Sequence, residues 1–223
     1  MRLLCDKLGI DIELSENKPQ IVTIEDVALY SGFVRELWEE YKGNDGDILI
    51  SDKGTDLKFG KNIEVVINPF DIDCNNKKIL TRIYQETVDI IQSEKIIETL
   101  DINSKIVALL DETVNKLPYD LDYNLELNLQ SLLKMYDLTV RMDAENYPEL
   151  LSQYIKLMAN ACGIRCFVFV GLKKYLATVD LENLYKDIVY DKIYLVDIES
   201  DISQRISTEN VAILDKDRCL IVY

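Results

Sequence analysis

The 223-residue sequence predicts an α/β fold with a helical insertion. Apolar runs typical of buried strands alternate with amphipathic helical patterns at both ends of the chain, whereas the spacing of apolar residues is mainly helical in between. The hydrophobic fraction of 48%, with eight Gly and four Pro, is typical of a well-packed globular protein. We therefore predict an α/β head domain from residues 1–70 and 146–223, and an α-helical insertion domain from residues 71–145.

The first 70 residues predict short strands and one clear helix. The β-branched run at residues 21–24 suits a buried strand. Asp26 can cap the helix that follows, and Gly43 is well placed to end it. The apolar stripe of this helix has helical spacing and comprises Tyr30, Phe33, Val34, Leu37, Trp38 and Tyr41. The other short strands of this part are predicted at residues 10–14, 48–51 and 63–67.

The insertion is predicted to contain two long helices and a short one. The first should run from Asn75 to Ile97, with apolar residues at helical spacing. Asn103 or Ser104 is a candidate N-cap for the second helix, and Pro118 should end it. A short helix at residues 129–135 and a short strand at residues 138–142 follow.

The C-terminal part returns to an α/β pattern. Pro148 suits the first turn of a helix. Residues 166–170 form an almost uninterrupted apolar run, which is typical of a central parallel strand. A helix entered at Thr178 or Asp180 and a second buried strand at residues 192–198 would complete a right-handed βαβ unit. The closing hairpin is predicted at residues 211–223, with its turn at residues 215–217.

The charge balance is strongly acidic, with a net charge of −15 and no basic tail to offset it. Such a charge at first argues against nucleic acid as a partner. However, net charge is a sum, and a local basic surface or bound cations can reverse its sign where a ligand binds. The acidic total therefore does not exclude a nucleic-acid partner.

Several chemistries are excluded by residue content. The sequence contains no His, which excludes Ser-His and Cys-His nucleophile systems, His-based acid–base catalysis and most zinc sites. The five Cys residues form no Cys-x-x-Cys pair and are expected to be buried, reduced thiols. Neither a run of about 18 apolar residues nor a signal peptide is evident, so we expect a soluble, cytoplasmic protein with no membrane partner.

An alternating acidic segment follows the predicted end of the second long helix. Its oxygen-bearing residues are Asp120, Asp122, Asn124, Glu126 and Asn128, with an apolar residue between neighbours. In an extended chain this period of two would place all five side chains on one face. Carboxylate and amide oxygens are the ligands that Ca²⁺ prefers, so the candidate calcium ligands are Asp120, Asp122, Asn124 and Glu126. A solvated strand face is the alternative, and the glycine and distant Glu of an EF-hand are missing.

The strand-to-helix turn at residues 24–27 is where a nucleotide hydrolase carries its phosphate loop. Here the turn reads IEDV, with neither glycine nor lysine. Glu25 and Asp26 at the start of the helix would repel phosphate, so we predict no nucleotide hydrolysis at this position. The same two acids, with Asp71 and Asp73, leave open a metal-dependent nuclease or phosphatase that uses converging carboxylates.

Several segments occur in an order known from one protein family. They are residues 21–37, 65–71 (VVINPFD), 117–123 (LPYDLDY), 167–173, 181–199 and 213–217 (ILDKD). Together they resemble the CRISPR-associated protein Csn-two family, the accessory adaptation proteins of type II-A systems, in its short form. None of the segments is a catalytic signature. Their order and combination carry the resemblance, which covers nearly the whole chain.

The resemblance implies an α/β head similar to a P-loop NTPase fold that has lost its nucleotide site, with no nuclease or ATPase activity. It implies a homotetrameric ring that encloses double-stranded DNA, binds DNA ends without sequence preference and is supported by calcium. It also implies a role in antiviral defence, beside the integrase subunits and the effector nuclease, during acquisition of new CRISPR spacers. A calcium-stabilised protein-interaction module with no nucleic-acid partner remains the alternative.

Lysines on the inner wall of the ring are a further expectation from this resemblance. Such cations can hold duplex phosphates without reading any base. The candidates, chosen by local charge, are Lys53, Lys58, Lys61, Lys77, Lys78, Arg82, Lys134 and Arg141. The symmetry of a ring would repeat a small basic patch in every copy and make it continuous.

Overall fold

The structure is a computed structural model, and it describes residues 1–202 and 204–223. The described residues form a mixed α/β structure with two β-sheets and six α-helices, which confirms the predicted α/β class. In chain order the elements are β1 (Arg2–Cys5), β2 (Ile10–Glu13), β3 (Gln20–Ile24), α1 (Val27–Tyr41), β4 (Ile48–Asp52), β5 (Thr55–Asp56), β6 (Ile63–Val66), α2 (Lys77–Glu94), α3 (Ile96–Val114), α4 (Leu129–Met135), α5 (Tyr147–Cys162), β7 (Cys166–Val170), α6 (Thr178–Tyr190), β8 (Tyr194–Glu199), β9 (Asn210–Leu214) and β10 (Leu220–Val222).

The chain divides into two compact units. The first unit consists of Met1–Cys74 and Met142–Tyr223 and contains both sheets with α1, α5 and α6. The second unit is Asn75–Arg141 and contains α2, α3 and α4. No helix in the described part of the chain is both long and apolar enough to cross a membrane.

The larger sheet has six strands in the order β10-β9-β3-β8-β7-β6. Its strands are parallel, except that β10 runs antiparallel to β9 in the predicted closing hairpin. Every residue of β3, β7 and β8 is buried, as expected for central parallel strands that are covered on both faces. The parallel pairing of β7 and β8, with α6 between them in the chain, confirms the predicted βαβ connection.

The smaller sheet is antiparallel, with the order β2-β1-β4-β5. One hydrophobic core joins residues of both sheets with Phe33 and Leu37 of α1. On β7, Val168 belongs to this core, while its neighbours Phe167 and Phe169 are equally buried on the opposite face. The large sheet therefore lies between two apolar layers, and only its edges and strand ends reach solvent.

Local signals in the first unit are confirmed at the residue level. The Asp26 Oδ1 accepts the Leu29 N–H at 2.9 Å and so caps α1. Pro148 is the second residue of α5, where its missing N–H is not needed. Gly163 follows the last residue of this helix with a φ of 67°, a conformation that favours glycine.

The predicted helix boundaries in the second unit are wrong. The predicted single helix breaks at Lys95, whose backbone leaves the helical conformation with φ −129° and ψ 25°. Asn103 and Ser104 lie inside α3 instead of capping it. Their side chains have other partners, because Asn103 donates to the Leu125 C=O at 2.9 Å and Ser104 donates to the Leu100 C=O at 2.8 Å.

The predicted strand at residues 138–142 is also wrong, because this segment is irregular. The Asn75 side chain accepts the Val140 N–H at 2.7 Å and donates to the Val140 C=O at 3.1 Å. The Tyr84 hydroxyl donates to the Leu138 C=O at 3.0 Å. Side chains of the second unit therefore form hydrogen bonds with the backbone N–H and C=O groups of this segment. In a sheet, a neighbouring strand would form those bonds.

The thiols follow the predicted pattern only in part. Cys5, Cys74 and Cys166 are buried, and burial raises the pKa of the Cys166 thiol to about 12. Cys162 is half-buried. Cys219 is exposed, contrary to the prediction, because it lies in the turn between β9 and β10.

Candidate functional site

The turn between β3 and α1 lies at the carboxyl end of the parallel strands, where open α/β sheets bind their ligands. The Asp26 carboxylate accepts the Leu29 N–H, and the Glu25 N–H donates to the Leu214 C=O at 3.0 Å. The first turn of α1 therefore already holds a carboxylate where a phosphate would meet the N–H groups of a helix. A phosphate would meet the negative charge of Asp26 here, and the lack of nucleotide hydrolysis at this turn stays a prediction.

Lys173 follows β7 at the same edge of the sheet, but it is used internally. Its Nζ lies 2.8 Å from Glu209 Oε2 and donates to the Gln204 C=O at 3.2 Å. Only 7% of its side chain is exposed, and Glu209 is fully buried. The ammonium group therefore neutralises a buried carboxylate and does not face a ligand.

Three buried acids near Lys173 were not among the predicted site residues. Asp197 and Glu199 left a signal in the sequence, since they are two residues apart at the end of an otherwise apolar strand. Glu209 left none, because its partners Lys173 and Tyr185 are distant from it in the chain. Only the folded sheet brings these groups together.

The basic candidates of the first unit are Lys53, Lys58 and Lys61, and all three lie on loops. Lys53 occupies the tight turn between β4 and β5, and the other two lie in the loop that leads to β6. Their side chains are exposed, and none of them forms an ion pair within residues 1–202 and 204–223. These ammonium groups are available to phosphate.

The basic candidates of the second unit lie on three segments. Lys77, Lys78 and Arg82 lie in the first turns of α2, where the four-residue spacing places Lys78 and Arg82 on one face. Lys134 lies in the last turn of α4, and Arg141 is the last residue of the unit. All of these residues are exposed except Lys78, which is half-buried. The structure therefore groups the three α2 candidates and leaves the other two on separate segments.

The candidate calcium segment does not form the extended face that period two would give. Residues 117–128 are irregular. The Asn124 Oδ1 accepts the Glu126 N–H at 3.0 Å, and the Asp122 Oδ1 accepts the next backbone N–H at 2.9 Å. These oxygens are therefore turned toward the backbone of their own segment.

A cavity of about 240 Å³ lies beside this segment within the second unit. Asn124 and Glu126 line it together with the polar residues Asn103, Asn128 and Ser131, whereas Asp120 and Asp122 do not line it and are exposed. Carboxylate and amide oxygens are the types of ligand that Ca²⁺ binds. However, no three Asp, Glu, His or Cys side chains converge as possible metal ligands in the part of the chain that the structure describes. Calcium binding by these four residues therefore stays a prediction.

The acids considered for a nuclease, Glu25, Asp26, Asp71 and Asp73, form no converging group of three either, within the described ranges. The Asp26 carboxylate is already used as the cap of α1. The arrangement of carboxylates that two-metal hydrolysis needs is thus not seen around them.

Solved structures of ATP-binding cassettes are among those similar to this chain. A bacterial Atm1-family ABC exporter with ATP bound matches with a TM-score of 0.43 and 12% identity, over 93% of this chain and 33% of that chain. The ADP conformation of an ATP-binding cassette of an ABC transporter matches with a TM-score of 0.46 and 11% identity, over 92% of this chain and 79% of that one. A nucleotide-free ATP-binding cassette matches with a TM-score of 0.43, 11% identity and the same coverage. The chain thus spans about a third of the length of the exporter chain.

No curated protein matches this sequence. The model of one protein family, described as CRISPR-associated protein (Cas_Csn2), matches residues 40–218. This range covers most of the 223 residues and reaches from the end of α1 to the closing hairpin. It confirms the resemblance seen in the sequence. The chain belongs to the Cas_Csn2 family of CRISPR-associated proteins.

Proposed function

We propose that this protein is a non-enzymatic ring that binds the ends of double-stranded DNA without sequence preference during CRISPR spacer acquisition. Membership in a CRISPR-associated family supports a role with the CRISPR machinery, for which the integrase subunits and the effector nuclease are the proposed partners. The proposed α/β head is a P-loop NTPase-like fold without its nucleotide site. The acidic, glycine-free turn between β3 and α1 supports this part of the proposal.

The observation that carries the DNA-binding proposal is a group of three exposed, unpaired lysines that lie close together in the chain, within residues 53–61. Lys53, Lys58 and Lys61 are solvent-facing and form no ion pair in the described residues, whereas Lys7, for example, is paired with Glu36. Phosphate contacts need only positioned positive charge, and they carry no sequence information. Free ammonium groups on loops therefore fit a backbone-binding protein without sequence preference.

Self-association is supported by an apolar surface on α3. The helix has no buried residue, yet Ile102, Ile106, Leu109 and Leu110 recur along one side of it at helical spacing. We call these four residues the α3 stripe. Ile102 is 50% exposed and Leu109 is 64% exposed. Contiguous exposed apolar residues of this kind favour an interface, and a second copy of this chain is the partner that the proposed homotetramer requires.

The proposed absence of catalysis rests on two features. The start of α1 holds a carboxylate instead of a phosphate loop, and the acids at residues 25, 26, 71 and 73 form no metal-ligating group in the described parts of the chain.

Calcium, the proposed cofactor, would be held by Asp120, Asp122, Asn124 and Glu126. Bound there, it would lower the local negative charge that opposes DNA.

A DNA shift assay on matched substrates tests the proposal. Blunt linear duplex should be retained, a covalently closed circle of the same sequence should not, and retention should weaken steeply with salt, because binding to phosphates releases counterions. The triple variant Lys53→Ala, Lys58→Ala, Lys61→Ala should bind linear duplex more weakly, with a log–log salt slope flatter by about 0.9 for each phosphate that the variant no longer neutralises.

The matched control is the variant Lys18→Ala, Lys186→Ala, Lys192→Ala, which removes the same charge from exposed lysines elsewhere in the first unit. It should bind like the parent protein. Equal binding of linear and circular DNA, or no binding of either, would overturn the proposal. Cleavage of the duplex in Mg²⁺ or Mn²⁺ would overturn its non-enzymatic part.

A further inference from the structure

Two carboxylates are buried side by side at the carboxyl end of β8. Asp197 and Glu199 are two positions apart in the strand, so both project from the same face of the sheet. Asp197 is fully buried, and Glu199 is 2% exposed. Two ionised carboxylates held this close in an apolar interior repel each other and lose their hydration, so at least one of them is disfavoured as an anion.

Both carboxylates hold the turn that follows β7. The Leu172 N–H donates to the Asp197 Oδ1 at 3.0 Å, and the Lys173 N–H donates to the Glu199 Oε1 at 3.0 Å. The turn Leu172–Lys174 is thereby tied to the neighbouring strand by two side chains. These bonds account for one oxygen of each carboxyl group.

The second oxygen of Asp197 is the unusual atom. Asp197 Oδ2 is buried, and it is the one buried side-chain oxygen or nitrogen in the described residues that has no hydrogen-bond partner. A buried acceptor without a donor is costly, whereas a protonated carboxyl oxygen at this place would itself be a donor. The adjacent Glu199 carboxylate is the acceptor that such a proton would meet.

The other titratable groups around the pair supply one countercharge, which is shared with a third carboxylate. Lys173 is the cation of this cluster, and its ammonium group is bound to Glu209. Glu209 also accepts the Tyr185 hydroxyl of α6 at 2.9 Å. Tyr30 faces the pair from α1, and the two carboxylates help to keep it neutral by raising its pKa, second to its burial. The cluster therefore contains one lysine and three buried carboxyl groups, so its single positive charge cannot neutralise all three as anions.

We infer that Asp197 and Glu199 share one bound proton, carried on Asp197 Oδ2, and that this proton keeps the turn Leu172–Lys174 closed against β8. The pair is a proton-binding site at the carboxyl edge of the sheet. Burial, and then the charge of Glu199, raises the pKa of the Asp197 carboxyl well above its usual value. The proton leaves to solvent when the pH rises through that value, and two like charges then remain behind the turn.

The direction of the pH effect follows from the raised pKa. The folded state holds this proton more tightly than the unfolded chain does, so the stabilisation is full below the ordinary pKa of Asp and is lost as the pH rises toward the folded pKa. The bond from the Leu172 N–H by itself favours the ionised carboxylate, so the loosening expected on loss of the proton comes from repulsion between the two carboxylates, which acts first on the turn that both of them hold. The site is thus a pH-sensitive latch that opens on the alkaline side.

Amide hydrogen exchange measured by NMR between pH 5 and pH 9 tests the latch in the full-length protein. After correction for intrinsic rates, the Leu172 and Lys173 amides should lose at least tenfold protection as the pH rises. The Tyr194 amide, which donates to the Arg165 C=O at 2.9 Å at the other end of β8, is the internal reference and should keep its protection. Unchanged protection of Leu172 and Lys173 across this range overturns the inference.

The variant Asp197→Asn replaces the proposed proton by an amide N–H, so protection of the two amides should become independent of pH. Asp187→Asn is the matched control: the Asp187 side chain on α6 is 45% exposed and accepts from Ser152 and Lys156 of α5, so this change should leave the wild-type pH dependence in place. Retention of that dependence in Asp197→Asn contradicts the inference. If the variant does not fold, the carboxyl ¹³C shift of Asp197 in the wild-type protein, followed over the same pH range, decides: a carboxyl that is protonated at the acidic end and titrates within the range supports the latch, and one that keeps the same protonation state throughout overturns it.

Discussion

At the scale of single residues, Asp26 shows how one side chain can replace a ligand. Its carboxylate takes the first-turn N–H of α1 that would otherwise be open to an anion. An acid at this position is favoured by the positive end of the helix, and it repels phosphate for the same reason. The residue therefore stabilises α1, and its charge supports the proposed lack of a nucleotide site at this turn.

Asp26→Ala should lower the free energy of unfolding by about 1 kcal/mol, because the N-cap hydrogen bond to the Leu29 N–H is lost. Urea unfolding followed by circular dichroism should show a lower midpoint with an unchanged slope. Asp26→Ser, which keeps a capping oxygen, should remain within a few tenths of a kcal/mol of the parent. Equal midpoints for the alanine variant and the parent would show that the cap contributes nothing.

At the scale of elements, α3 differs from the other long helices because it buries no residue. By contrast, α5 buries Leu151, Tyr154, Ile155 and Met158, and α6 buries a similar set. An amphipathic helix gains most of its stability from covering its apolar side. The α3 stripe therefore marks the element at which another copy of the chain should pack.

Leu109→Glu should reduce the solution mass of the assembly, because it places a charge in the middle of the α3 stripe. Ala108→Glu is the matched control, since helical spacing places Ala108 on the polar side of α3 with Asp101, Lys105 and Glu112. Light scattering at a fixed protein concentration measures the solution mass of both variants. An unchanged mass for Leu109→Glu, or an equal loss for both variants, would remove α3 as the interface.

At the scale of the whole molecule, the net charge of −15 argues against the proposed DNA partner. This objection holds only for the charge summed over all residues, because DNA meets the local charge of the surface that it contacts. Three exposed lysines lie on loops of the first unit, whereas the alternating acids lie on the irregular segment 117–128 of the second unit, to which the basic residues of α2 also belong. Exposed cations that lie on segments of their own can form a local basic surface that attracts phosphate, even in an acidic chain. Cations bound at the acids would reduce the repulsion further.

Calcium should raise the melting temperature of the parent protein, because an ion that binds only the folded state stabilises it by mass action. The triple variant Asp120→Ala, Asp122→Ala, Glu126→Ala should lose this rise and the heat of calcium binding in titration calorimetry. The control variant Asp56→Ala, Glu94→Ala, Asp217→Ala removes the same charge from exposed sites and should keep both. Absence of any calcium response in the parent would show that the alternating segment is an ordinary solvated surface.

Local patterns explain which elements could be predicted. The buried run in β7, the cap at Asp26 and the proline of α5 are each decided by neighbours within a few residues, so the sequence alone reveals them. The break at Lys95 and the irregular segment at 138–142 depend on partners that are distant in the chain, such as Asn75 and Tyr84. Secondary-structure propensities and the spacing of apolar residues carry no information about such distant partners.

The sequence by itself determined the α/β class, the lack of glycine and lysine in the turn at residues 24–27 and the family, because these follow from apolar periodicity, residue content and segment order. Only the tertiary structure decided how the charges are used. It paired Lys173 with Glu209 and buried Asp197 and Glu199 under the turn after β7. Burial sets the protonation state of a carboxyl, and burial depends on the packing of segments that are far apart in the chain.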